Sequence, residues 1–124
     1  MIMLDTHVAV ALYEGRTGGL GPAARRAIDR DVVTISPAVL LEIELLHEVR
    51  RLRVGAKPIS ERLAGDLSIR VAAERFADVA VEALAFSFTR DPFDRLIVAH
   101  AALAKAVLIT QDAMLRFHYP KTLH

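Results

Sequence analysis

The chain has 124 residues, enough for one domain with a real core and too few for two. Apolar residues make up 53% and charged residues 25%, a globular composition, and the lack of cysteine excludes a disulfide framework and any thiolate metal site. A formal charge of +1 excludes a gross electrostatic footprint for nucleic acid, although arginine outnumbers lysine and clusters at Arg25-Arg26 and Arg50-Arg51-Leu52-Arg53.

No apolar run approaches the roughly 20 residues that span a bilayer, so no membrane association is expected. Asp5, directly after Met-Ile-Met-Leu, leaves no room for a charged segment followed by an apolar one, so a secretory signal is not expected either. A reducing cytoplasm is the expected location for such a cysteine-free chain.

In chain order, Ile2 to Leu4 reads as a buried strand that stops at Asp5. A short helix carrying Val8 and Leu12 follows, ending in the glycine-rich stretch Gly15 to Pro22. That stretch lacks the lysine and Ser/Thr of a P-loop and follows a helix, so it reads as a mobile linker. Pro22 starts a helix through Ala23, Ala24, Ala27 and Ile28. Val32 to Ile35 is a β-branched strand, and Ser36-Pro37 supplies a cap and a first-turn proline for a long helix through Arg51. Lys57-Pro58 reads as a break, with Ser60 capping a shorter helix through Leu63 and Leu67. Ile69 to Val71 is a third strand, and the spacing of Phe76, Val79, Ala80 and Leu84 marks another helix. Asp91-Pro92 repeats the cap-then-proline signal before a helix from Phe93 to about Lys105. Val107 to Thr110 is the clearest strand, with Asp112 just beyond it. The tail from Tyr119 to His124 adds a short edge strand. Strands alternating with helices predict an α/β domain over residues 1–124, its parallel sheet covered on both faces.

Most acids need only a solvated role. Glu44, Glu48 and Arg51 share one helix face, and Glu61, Asp66, Glu74, Asp78 and Glu82 lie at surface-like positions. Glu42 is different. At about 100° per residue it falls in an arc with Ala38, Val39, Leu45, Leu46 and Val49, where a carboxylate is costly unless paired or bound to a metal. A buried salt bridge to arginine accounts for that placement equally well. Asp94 heads an apolar helix face shared with Ile97, Val98 and Ala101, while Asp91 has a ready task as the cap. Asp5 and Asp112 follow apolar strands, and strand carboxyl ends form the ligand crevice of an open parallel sheet. Four carboxylates gathered there would raise one another's pKa unless a cation intervened. Oxygen-only donors suit Mg²⁺ or Mn²⁺.

With these residues in view, the chain resembles the PIN domains. Leu4-Asp5-Thr6-His7 resembles the first motif, and Ser36 with Glu42 in Leu-Leu-Glu-Ile-Glu-Leu-Leu resembles the second. Arg90 to Ala101, followed by Leu108-Ile109-Thr110-Gln111-Asp112, resembles the third and fourth. The similarity is greatest to VapC-like toxins of prokaryotic toxin–antitoxin pairs, and it covers essentially the whole sequence. It implies a three-layer α/β/α domain with about five parallel strands, usually dimeric. It also implies Mg²⁺- or Mn²⁺-dependent endoribonuclease activity and a cognate antitoxin in a prokaryotic cytoplasm.

Carried over by position, Asp5, Glu42, Asp94 and Asp112 match the acidic quartet, as catalytic residues and metal ligands. Thr6 and Thr110 match hydroxyls beside the metal, and Asp91 matches an acid common in the subgroup. Arg95 stands where it could hold the phosphate backbone. Relatives often carry Trp where Leu41 stands, a lysine-rich turn where Arg50 to Gly55 stands, and Gln or Thr where His100 stands. None of these departures removes a ligand. The five histidines show no zinc spacing, and Phe76, Phe86, Phe88 and Phe93 read as core or dimer contacts. A dehalogenase-type phosphatase needs an acid where His7 stands, and a receiver domain needs adjacent acids that are absent here. Two other readings remain open, a silent PIN-fold module that binds nucleic acid or protein, and a DNA- or structure-specific PIN nuclease.

Overall fold

The computed structural model describes all residues from Met1 to His124. Strand β1 is Ile2–Leu4, and helix α1 follows at Thr6–Tyr13. Then come α2 at Pro22–Arg30, β2 at Val33–Ile35, α3 at Pro37–Glu48 and α4 at Ala56–Leu67. The second half holds β3 at Arg70–Val71, α5 at Phe76–Ala83 and α6 at Pro92–Leu103. It closes with β4 at Val107–Ile109, α7 at Ala113–His118 and β5 at Thr122–Leu123.

The five strands form one sheet in the order β3-β2-β1-β4-β5, every pair parallel. With helices on both faces this is a three-layer α/β/α domain. Central β1 is buried along its whole length, since a parallel strand under two helical layers has no wet face. Met3, Leu4, Ile35, Leu108 and Ile109 lose essentially all their exposure and anchor the core. The edge strands β3 and β5 are two residues each, too short to template further pairing.

The strand order sets the location of the site. From β1 the chain builds outward through β2 to β3, then returns to place β4 on the opposite side of β1. Loops leaving the ends of β1 and β4 therefore part company and open a crevice at that switch point. The register aligns Leu4 with Ile109, so Asp5 and Thr110 emerge side by side.

Several sequence expectations need correction. Helix α3 ends at Glu48 and not Arg51, because Arg50 turns into the left-handed region with φ of 64°. Lys57-Pro58 does not break the chain. Pro58 is the third residue of α4, where its missing N–H is not needed for an intrahelical bond, and Ser60 lies inside the helix rather than capping it. The first N–H of α4, at Ala56, donates instead to Glu44 Oε1 at 3.0 Å, so Glu44 is more than a solvated acid. The stretch Gly15 to Pro22 is tied down at several points. Arg25 donates to the carbonyls of Thr17 and Leu20, Leu20 is buried, and the Gly21 N–H donates to the carbonyl of His124. A Cβ at Gly21 would lie 2.6 Å from that carbonyl oxygen, so the approach requires glycine. Helix α7 was not anticipated; Asp112 Oδ1 caps it by accepting from the N–H groups of Met114 and Leu115.

Candidate active site

The crevice gathers acids from four elements. Asp5 ends β1 and caps α1, its Oδ1 accepting from the Thr6 N–H at 2.6 Å and its Oδ2 from the Thr110 hydroxyl at 2.6 Å. Thr110, fully buried, also accepts from the Asp112 N–H at 3.1 Å, so one hydroxyl couples the acids that follow β1 and β4. Thr6, also fully buried, donates to Glu42 Oε1 at 2.5 Å and so brings α3 to the start of α1. The threonines expected beside the acids are therefore the links that hold them.

Glu42 reaches this place by a route different from the one its helix position predicted. The buried stripe of α3 runs through Val39 and Ile43, while Leu45 and Val49 are exposed. Glu42 sits at the margin of the stripe, half-buried, where its side chain extends to Thr6. Asp94, in the first turn of α6, is also half-buried. It alone of the four accepts no side-chain hydrogen bond from the chain. Asp91 caps α6, its Oδ1 accepting from the N–H groups of Phe93 and Asp94.

Electrostatics shows that these groups share one field. Burial pushes the Asp94 carboxyl up to about 7, and the charges of Asp91, Asp5, Asp112 and Glu42 add to the rise. Burial likewise raises Asp5 against the opposing hydrogen bonds from Thr110 and Thr6. Glu42 rises through burial and the charges of Asp5 and Asp91, with Thr6 and His7 acting against the rise. The cluster thus carries negative charge that no lysine or arginine matches.

No three of the acids could ligate a common ion directly as placed. The donor set nonetheless fits a hard divalent cation. All donors are oxygens, the charge is uncompensated, and Mg²⁺ characteristically keeps several waters while using one or two carboxylates. Water-mediated ligation suits this spacing.

Other polar residues have different tasks. Arg95 Nε and Nη2 donate to the Ala83 carbonyl at 3.3 and 3.2 Å, and Nη2 also to that of Leu84, closing the end of α5. Its guanidinium is thus engaged within the fold. His100, 1% exposed, bridges Ser36 Oγ at 3.0 Å and Glu74 Oε1 at 2.8 Å. The Glu74 carboxylate only accepts, so Nε2 donates to it; with the ring proton there, Nδ1 accepts from the Ser36 hydroxyl, whose oxygen also accepts from the Ala38 N–H. Glu74 is therefore a partly exposed partner of a buried side chain rather than a solvated acid. Nothing in its own neighbourhood of sequence signals this, because its partner lies on α6. Among the aromatic residues, Phe86 and Phe88 pack on the core, whereas Phe76 is exposed.

Comparison with known proteins agrees with this architecture. The PIN domain family model matches residues 2–118. The chain belongs to the PIN domain family, whose members are in general nucleases. Among solved structures it is similar to the VapBC2 assembly of Rickettsia felis bound to a DNA fragment from its promoter. That likeness has a TM-score of 0.64 at 18% identity and covers 99% of this chain and 96% of that one, a likeness of fold. No curated protein matches the sequence significantly. No helix is long and apolar enough to cross a membrane.

Proposed function

We propose that this PIN domain is a Mg²⁺- or Mn²⁺-dependent endoribonuclease, and that it acts as the toxin of a VapBC-type toxin–antitoxin pair. The observation that carries the reading is the set of four carboxylates at the switch point, with Asp94 raised to about 7 by burial and by its acidic neighbours. Such an arrangement is costly for a purely structural cluster and becomes favourable when a divalent cation is present.

Asp5, Asp94 and Asp112 would hold the ion, directly or through water. When bound, the ion supplies positive charge for the scissile phosphate and makes a nearby water more acidic. Asp94, whose carboxyl burial and acidic neighbours push up to about 7, gives up its proton to join the other ligands. Glu42, steadied by the Thr6 hydroxyl, orients the attacking water in line with the phosphodiester and accepts its proton, a task suited to a carboxyl whose pKa burial has raised. Thr110 fixes Asp5, and Asp91 keeps the first turn of α6 in place beneath Asp94. The similarity to the VapBC2 fold supports a protein antitoxin as partner; a homodimer in a prokaryotic cytoplasm is the arrangement that the family resemblance implies.

The test is cleavage of single-stranded RNA in Mg²⁺ or Mn²⁺, with EDTA and Asp94→Asn as controls and DNA of the same sequence alongside. RNA cleavage abolished by both controls is the expected result. Activity indifferent to EDTA and to Asp94→Asn sinks the metal mechanism, and cleavage of DNA alone replaces RNA as the substrate. Absence of cleavage under every condition returns the chain to a binding module.

A further inference from the structure

Two stretches that the carboxylate chemistry leaves unused meet beside it. The glycine-rich turn after α1 brings Arg16, Gly18 and Gly19, and the turn after α3 brings Arg51. They line an open cleft made of two adjoining hollows of about 240 and 440 Å³, which share His7, Ala11, Arg16 and Gln111. His7 lies just past Asp5, and Gln111 lies between Thr110 and Asp112, so the cleft begins where the carboxylates end.

The glycine wall of the cleft is held in place. Gln111 Nε2 donates to the Gly19 carbonyl at 2.6 Å, and a Cβ at Gly19 would meet that same nitrogen at 2.6 Å. The cations on the cleft are accessible. Arg51 is exposed and its guanidinium makes no hydrogen bond or ion pair within the chain, while Arg16 pairs with Glu14 at 2.9 Å, both exposed. An exposed pair of this kind is worth little and exchanges readily for a phosphate. Arginine forks match phosphate oxygens. A polyanion approaching four carboxylates meets repulsion, so attraction has to come from cations set beyond them. Arg95, the arginine adjoining Asp94, is engaged with the carbonyls of α5.

We infer that this cleft seats the phosphate backbone of single-stranded RNA on one side of the scissile bond, with Arg16 and Arg51 binding phosphates and His7 and Gln111 at its mouth. The inference rests on the ribonuclease reading above and adds to it the path of the substrate.

The experiment is steady-state cleavage of a fluorescent single-stranded RNA oligonucleotide in Mn²⁺ over a range of salt. It compares the wild-type chain, the double variant Arg16→Ala/Arg51→Ala, Glu14→Gln, and Arg75→Ala as a charge control on α5. All four positions are exposed. The double variant is expected to raise KM about tenfold with kcat within about twofold, and to flatten the salt slope by about 0.7 for each arginine lost. Glu14→Gln, which frees Arg16, lowers KM, and Arg75→Ala changes neither constant. A double variant with unchanged KM and salt slope, or an equal loss in Arg75→Ala, overturns the cleft while the ribonuclease reading stands. A wild-type chain that cleaves no RNA overturns the reading and the cleft with it.

Discussion

Helices α3 and α6 each contribute to two polar clusters, and the two are built on opposite principles. In one, Ser36 at the start of α3, His100 late in α6 and Glu74 after β3 form a largely buried relay in which each donor meets an acceptor. In the other, Glu42 of α3 and Asp94 of α6 join Asp5 and Asp112, acids with no lysine or arginine to match them. No buried side-chain polar atom in the chain lacks a hydrogen-bond partner. A polar group kept for structure is matched, because an unmatched one is costly to bury. A cluster of like charges left unmatched at a crevice is the physical mark of a site awaiting a ligand.

The largest expected effect separates these clusters by activity. Asp94→Asn should lower RNA cleavage by about 10²–10³-fold, the range seen when one group stabilising developing charge is removed. The same substitution should make the metal-free protein harder to unfold in urea at pH 8, because it deletes a repelled charge. Loss of both activity and stability would show that Asp94 is a structural residue.

Next in size is the relay. His100→Ala should cost about 2–4 kcal/mol in urea unfolding, from the cavity and from polar partners left unpaired. His100→Gln, which can still donate and accept, should recover more than half of that loss. An alanine variant as stable as the wild-type chain would mean that the relay contributes nothing.

Thr110→Val tests the link between the acids. It removes the donor to Asp5 Oδ2 and the acceptor for the Asp112 N–H, and should weaken Mn²⁺ binding about tenfold by calorimetry. Unchanged affinity would place the hydroxyl outside the site's support.

A further effect is a pH slope. Asp94 titrates at about 7 in the folded chain against 3.8 for the unperturbed group, so between those values the folded state binds a proton that the unfolded state has released. Stability of the metal-free protein should therefore fall as pH rises from about 4 to about 7 and lose no more from this group above that. Mn²⁺ affinity should rise across the same range, since the ion must displace the proton. Urea midpoints and Mn²⁺ titrations at several pH values check both signs, and Asp94→Asn should flatten the stability slope.

Much of this was legible in the sequence, to unequal depth. The strands at Ile2–Leu4 and Val107–Ile109 are short apolar runs ending at polar residues, and the capping pairs Ser36-Pro37 and Asp91-Pro92 start their helices where expected. These are local signals, set by burial and by the lone N–H groups of a helix start. Glu42 was found for a reason only partly right. Its arc holds Leu45 and Val49, which the fold leaves exposed, and its position at the site comes from Thr6 on another helix. Asp112 was singled out as an acid, yet its capping of α7 went unread because Ala113 to His118 is too short to show a helical period.

The sequence by itself determined the alternation of strands and helices and the depth of β1 and β4, because each depends on residues adjacent along the chain. Only the tertiary structure decided which acids share a field, which hydroxyls link them, and that Arg16 and Arg51 meet at one cleft while Arg95 closes a helix. Those outcomes depend on strand order and on helix packing. Residues far apart in sequence become neighbours when β4 returns to the far side of β1, and no local pattern encodes that return.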